Sequence, residues 1–237
     1  MRVDREWLLA LDISGPRGVL ALEGPRGLFY REVAGGSRVS QLFVTAGEVF
    51  SEAGIDPRHL GLIGVARGPG SFTGVRVGVM AAKVLAAVFE LPLVAPDSLR
   101  VMAMGARGEA EAVFVALDAR RGEVYHALYG LDGEYPVGLE GPRVAPPAQA
   151  ARSLSRWRAR LPGRLVLAGS GIDAFPDAWP ADLPRLAGEL PEPGGLAQLC
   201  RYAFERGEDV QPMQLLPLYL RRPDAREHSE GGKEGRG

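Results

Sequence analysis

The sequence predicts an α/β protein of two tandem β-β-β-α-β-α domains, and three observations carry that prediction. An apolar strand ending in Leu-Asp, then a polar turn containing glycine, then a second apolar strand, occurs twice, at Leu9–Leu22 and at Val115–Tyr129. Each copy is followed by a helix, an apolar strand and another helix. Between the copies, a glycine-rich turn joins a strand to a long helix. A repeat of this kind suggests two related units facing each other across a cleft.

Taken in order, Leu9–Asp12, a turn through Gly18, and Val19–Leu22 form a hairpin, with Gly27–Val33 as a third strand. Ser37 or Ser40 can cap a helix running to about Ala53, and Gly54 follows as the residue that ends it. Leu62–Ala66 is an apolar strand that leads through the glycine-rich turn into a helix over Thr73–Phe89. In the second half the hairpin is Val115–Asp118 with Glu123–Tyr129. It is followed by a helix over Ala148–Leu161, a strand at Leu165–Ala168 and a helix over Gly195–Glu205. The domains are placed at 1–96 and 97–220. The apolar strip from Leu215 should dock on the body, and the tail 221–237, made mostly of Arg, Glu, Gly and Ser, should be disordered.

Composition narrows the function. The chain has 237 residues, 46% of them hydrophobic, which supplies a sizeable core. No run reaches the ~20 apolar residues of a membrane helix, and the start carries no signal-peptide pattern, so no membrane partner is expected. A single cysteine, Cys200, excludes an internal disulfide, fits a reducing cytoplasm and belongs to a helix where packing is its expected role. The net charge is −1 without a long basic block, so strong nucleic-acid binding by the chain alone is not expected.

The most informative segment is Arg67-Gly-Pro-Gly-Ser-Phe-Thr-Gly-Val-Arg-Val-Gly78. A strand-to-helix junction of this kind points backbone N–H groups and a helix dipole at one spot. Three known loop classes fail here. A P-loop needs Lys after its last glycine, and Gly74 is followed by Val75-Arg76. A dinucleotide fingerprint counted from Gly68 reaches Thr73 instead of a third glycine. A nucleophile elbow at Ser71 would need glycines at Pro69 and Thr73. Close backbone packing is the competing explanation for Gly68, Gly70 and Gly74.

Chemistry elsewhere is sparse. Asp12 and Asp118, matched in the repeat, could hold a metal or orient water near phosphates, or could simply form turns. His59, His126 and His228 show no ligand spacing, and no Ser-His-Asp set can be assembled. Two helices are instead unusually apolar. Val39, Leu42, Phe43, Val44, Ala46, Val49, Phe50 and Ala53 cover more than one face of the first. In the second, Gly74, Gly78 and Ala82 form a smooth stripe, with bulk from Val75, Val79, Leu85, Val88 and Phe89. Surplus apolar surface on neighbouring helices suggests a partner that covers it.

These residues resemble the TsaB (YeaZ) family. Gly68-Pro-Gly-Ser-Phe-Thr-Gly-Val-Arg-Val-Gly78 matches its signature closely, and Asp118-Ala-Arg-Arg-Gly-Glu-Val-Tyr125 its second motif. Leu11-Asp12-Ile-Ser14 fits its opening strand, and Pro217-Leu-Tyr-Leu-Arg221 its closing strip. The resemblance implies an actin-like ATPase fold, two ribonuclease-H-like domains in tandem. It also implies a non-catalytic adaptor of TsaD, which transfers threonylcarbamoyl to the adenosine beside the tRNA anticodon. TsaE, an ATPase, would join the pair, and tRNA would be met only through the complex. Pairing would use Val39, Leu42, Phe43, Ala46, Val49, Phe50 and Ala53 with Gly74, Val75, Gly78, Val79, Ala82 and Leu85, and without TsaD two copies could pair the same way.

The resemblance also bears on nucleotide. Actin-like kinases use an Asp-x-Gly-Thr phosphate turn, where this chain has Asp12-Ile-Ser-Gly-Pro-Arg17. Only Gly169-Ser-Gly171 stands in for their adenosine-binding glycine pair. Residues that could face a nucleotide or phosphate are Asp12, Ser14, Gly68, Gly70, Ser71, Thr73, Arg76, Asp118, Arg120 and Arg121. The departures shift any ATP or ADP to the TsaD interface, within reach of Arg76, Arg120 and Arg121. No cofactor is expected in the isolated chain. The competing function is a nucleotide-binding hydrolase or a peptidase-like enzyme of the same fold.

Overall fold

A computed structural model of the chain describes residues 5–34, 39–186 and 192–221. Among the described residues it contains ten strands and six α-helices, the strands in two five-stranded sheets. The first half runs β1 (Trp7–Asp12), β2 (Arg17–Gly24), β3 (Gly27–Ala34), α1 (Val39–Ala53), β4 (Leu60–Val65), α2 (Phe72–Phe89) and β5 (Leu93–Val94). After α3 (Ser98–Ala103), the second half runs β6 (Ala112–Asp118), β7 (Val124–Gly130), β8 (Val137–Ala145), α4 (Pro147–Arg158) and β9 (Leu165–Ala168). It closes with α5 (Ser170–Ala174), β10 (Arg185–Leu186) and α6 (Pro193–Glu205).

The sheets repeat one another, in the orders β3-β2-β1-β4-β5 and β10-β9-β6-β7-β8. In each, an antiparallel three-stranded meander adds two parallel strands beside its first strand. This is the α/β, actin-like, ribonuclease-H-like fold that the sequence predicts. The reading of the residues did not locate β8, whose Gly138, Gly141 and Pro142 interrupt the apolar pattern. The two-residue strands β5 and β10 are too short to show a period.

Both faces of the first sheet are covered, which is why β1 is buried at every position. Leu9, Leu11, Leu20, Leu22, Ile63 and Val65 meet α1 and α2. Leu8, Ala10, Val19, Ala21 and Leu62 meet Leu196, Leu199 and Cys200 of α6. In the second sheet, Phe114 and Leu128 pack on α4 and α5, while Val113, Val115 and Tyr129 pack on α3. The sequence assigns α6 to the second domain, yet its apolar face closes the first sheet.

The apolar strip after α6 lies on the glycine-rich junction. Leu218 N donates to Arg67 O at 2.7 Å, and Lys83 Nζ donates to Leu215 O at 3.0 Å. Arg221 is tied to the β6–β7 turn by donating to Ala119 O at 3.2 Å and by an ion pair with Glu123. The rest of the expected disordered tail, 222–237, lies outside the described residues, as do the candidate cap Ser37 and His228. Among the described residues, α2 alone is long and apolar enough to cross a membrane, although the sequence analysis saw no such run. Its apolarity has two outlets, because 39% of it is buried in the protein and its opposite side faces outward.

Candidate functional site

The glycine-rich segment packs backbone against backbone. Gly70 lies so close to the β1–β2 turn that a Cβ there would stand 2.4 Å from Ser14 O, and at Gly74 it would stand 2.0 Å from Ile13 O. Ser71 N donates to Ser14 O at 2.6 Å, and Ser71 Oγ caps α2 by accepting from Gly74 N at 3.3 Å. Gly68 has φ of 96° and would press a Cβ to 3.3 Å from Leu218 O, while its own carbonyl accepts from Ser98 N at 2.8 Å. These glycines therefore answer to the chain's own backbone. Thr73 is exposed beside them.

The two matched aspartates form matched turns. Asp12 is buried, and its Oδ1 accepts from Ser14 N at 2.9 Å. Burial pushes its carboxyl above the usual range, against the lowering effect of the Ser14 hydrogen bonds. Asp118 Oδ1 accepts from Arg120 N at 2.8 Å, again two residues on, and its Oδ2 pairs with Arg120 Nη1 at 3.1 Å. Arg120 and Arg121 are left-handed, with φ of 64° and 58°. Among the described residues, no direct hydrogen bond or ion pair links Asp12 and the glycine junction to Asp118 and Arg120. Among the described residues, no three His, Cys, Asp or Glu side chains gather as a metal set.

The two apolar helices divide their surface. Leu42, Ala46, Val49, Phe50 and Ala53 of α1, and Gly74, Val75, Gly78, Val79 and Ala82 of α2, are buried in the chain's own core. Their expected place on a partner surface is corrected accordingly: the first sheet takes that face of both helices. Of the remaining expected residues, Phe43 is exposed, Leu85 is half-buried, and the Val39 side chain lies outside what the structure describes. The outward face is nevertheless apolar. Phe43 (40% exposed) and Val44 (64%) lie on α1, and Phe72 (45%), Met80 (55%), Val84 (45%) and Val88 (68%) on α2. Phe72, Arg76, Met80, Val84 and Val88 recur every four residues and so form one stripe. Arg76 lies over the Phe72 ring at 5.1 Å, and Tyr219 packs on the same ring at 5.3 Å.

Comparison with known proteins decides the family. Residues 32–157 match the family model described as "TsaD: tRNA N6-adenosine threonylcarbamoyltransferase". The tRNA threonylcarbamoyladenosine biosynthesis protein TsaB of Escherichia coli is 34% identical over 181 residues, covering 73% of this chain and 76% of that one. The chain belongs to the TsaB family. The Haemophilus influenzae TsaB is 28% identical over 226 residues, covering 90% of this chain and 93% of its own. Among solved structures, YeaZ from Pseudomonas aeruginosa superposes with a TM-score of 0.79 at 30% identity, over 91% of this chain and 100% of that chain.

The fold shared by the TsaB family and the actin-like ATPases implies a nucleotide, and the residues here do not fit its phosphates. The junction at Gly70 and Gly74 is filled by Ser14 and Ile13 backbone, and the Asp12 carboxylate is engaged by Ser14 N. Gly169 and Gly171 likewise face Ala116, whose carbonyl would stand 2.4 Å and 3.0 Å from their added Cβ atoms. The other titratable groups have packing roles. His126 is buried against Phe114 at 5.5 Å, and burial lowers its pKa. Cys200 is buried, and burial pushes its thiol up.

The reading of the residues missed a part-buried polar link in this TsaB-family chain. Tyr129 Oη donates to Asp97 Oδ1 at 2.7 Å, and Asp97 caps α3 by accepting from Arg100 N at 2.9 Å. Asp97 precedes a short helix at Ser98, a cap pattern readable from sequence, but its partner on β7 is far along the chain.

Proposed function

We propose that the chain is a non-catalytic subunit that pairs with TsaD through the outward faces of α1 and α2. Paired, it supports threonylcarbamoyl transfer to the adenosine beside the tRNA anticodon. The observation that carries this reading is the apolar stripe Phe72–Met80–Val84–Val88 beside Phe43 and Val44, on helices whose other side is already committed to the core. Exposed apolar surface of this continuity marks an interaction site. The match of residues 32–157 to the TsaD family supports a particular geometry. Partners of like fold can present like helix pairs to each other about an approximate two-fold axis. Gly47 is compatible with this: among the described residues nothing lies within 4 Å of where its Cβ would be, which leaves α1 open to close approach there. The non-catalytic part rests on the turn roles of Asp12 and Asp118 and on the lack of a gathered metal set among the described residues. TsaE and any ATP or ADP would meet this chain at the shared surface, near Arg76, and the chain would meet tRNA as part of that complex.

The test is a double variant, Met80→Glu with Val84→Glu. Both side chains are exposed, so stability should change by less than about 0.5 kcal/mol. Co-purification with TsaD and reconstituted tRNA modification should both be lost. Retained pairing by this variant, or full modification without the chain, would overturn the proposal. Self-association of the wild type that the variant abolishes would instead mark the stripe as a contact between copies of this chain.

A further inference from the structure

The net charge of −1 conceals a local imbalance. From residue 143 to residue 164 the chain carries six arginines and no aspartate or glutamate. Two of the six have acidic partners: Arg143 lies 3.5 Å from Glu140, and Arg158 pairs with Asp182. Arg152, Arg156 and Arg160 have no hydrogen-bond or ion-pair partner for their guanidinium groups among the described residues, and all three are exposed. They fall four residues apart. Arg152 and Arg156 lie on α4, where that spacing is a rise of about 6 Å along one side, and Arg160 stands in the turn just after the helix ends at Arg158. Arg152 and Arg156 line an open groove of about 870 Å³ between α4 and the turn at Asp177–Pro180, with Gln149 and Ser155 on the same wall and Asp177 opposite.

Packing does not explain this row. The core-facing side of α4 is Ala150, Ser153, Leu154 and Trp157, and it is there that Ser153 and Trp157 engage the buried Glu140. Two unneutralised guanidinium groups at the groove and a third just past the helix end complement a run of negative charges. Arginine forks match phosphate oxygens in particular.

We propose that the outward face of α4 and the turn after it form an RNA-backbone contact, with Arg152, Arg156 and Arg160 meeting phosphates of the tRNA that the complex modifies. The partner class rests on the functional reading above, while the anionic, repetitive character of the partner rests on the arginine row alone. The contact is made by backbone charge, so it positions RNA without reading its sequence. This goes beyond the expectation, implied by the family resemblance, that tRNA is met only through the complex.

The test titrates unmodified, transcribed tRNA with the TsaD pair and with the full chain alone, following fluorescence anisotropy at several salt concentrations. Wild type is compared with the triple variant Arg152→Gln, Arg156→Gln, Arg160→Gln, and a polyglutamate peptide is titrated in parallel. Loss of three phosphate contacts should weaken tRNA binding roughly tenfold or more and flatten the salt dependence by about two to three charges. Polyglutamate should not bind. Thermal unfolding and pairing with TsaD should be unchanged, which separates this result from failure of the helix interface. If the pair does not form, the same loss should still be read on the chain alone at weaker affinity. Unchanged affinity and salt slope would overturn the proposal. So would polyglutamate binding that the variant loses while tRNA binding persists, since the face would then belong to an acidic protein.

Discussion

At Gly74 the missing side chain keeps a helix against a turn. Gly74→Ala would drive a methyl to 2.0 Å from Ile13 O, a backbone atom that cannot rotate away. The expected cost is about 1–3 kcal/mol or more, measured by urea unfolding. Gly47→Ala is the opposite experiment. Its Cβ meets open space inside α1, so the isolated chain should gain about 0.5–1 kcal/mol. Pairing with TsaD should weaken if a partner helix approaches there; equal pairing would leave Gly47 without a role. Asp12 makes a further prediction. Its carboxyl is raised above its ordinary 3.8, so the folded state holds the proton more tightly than the unfolded chain. That contribution is fully present below 3.8 and is lost as pH rises through the folded value. Asp12→Asn keeps an acceptor for Ser14 N and removes this term, so its stability should fall less than wild type's as pH rises across that window. Identical pH profiles would show that Asp12 titrates alike in both states. The sequence already offered turn-forming as one role for both aspartates. It could not choose that role, because an Asx-type turn and a phosphate turn begin with the same residue.

The helices show where patterning stops being informative. Surplus apolar residues on α1 and α2 were legible, since charge is nearly absent from both. Which side faces the sheet was not, because two apolar faces on one helix give no amphipathic contrast. Only the structure separates Val79, buried, from Met80, exposed. A glutamate at Val79 should therefore unfold the chain, where one at Met80 should only spoil pairing. The spacing of Arg152, Arg156 and Arg160 was equally visible, but its meaning depends on which arginines find partners, a tertiary fact. A contact between the second sheet's β7–β8 connection and the helix that closes the first sheet was invisible for the same reason. Tyr135, in the β7–β8 connection, stacks on Tyr202 of α6 with ring centroids 3.9 Å apart, and Arg107 and Arg100 lie over the two rings. Tyr202→Ala should cost about 0.5–1.5 kcal/mol beyond its buried area. A double cycle with Tyr135→Ala isolates that term, and additive losses would deny the coupling.

The molecule as a whole is more interlaced than its repeat suggests. Each hairpin was readable because its contacts are local: Leu11 pairs with Leu20 and Leu117 with Tyr125 across short turns. The placement of α6 was not readable. An amphipathic helix states that it has an apolar face, not which sheet will cover it. In the fold, Leu196, Leu199 and Cys200 close the side of the first sheet formed by Leu8, Ala10, Val19 and Ala21. A fragment ending at residue 96 would leave that side bare while keeping α1 and α2 on the other. Such a fragment should bind a hydrophobic dye and lack a cooperative thermal transition. Co-expression with a segment spanning 192–221 should abolish the dye binding and restore a cooperative transition, because that piece supplies α6 and the strip that docks Leu218 on Arg67. The full chain should melt in a single transition, since the first sheet cannot lose α6 without exposing a layer of its own core. A fragment of residues 1–96 that unfolds cooperatively by itself, near the midpoint of the full chain, would mean that α6 is an accessory and that the halves are independent domains.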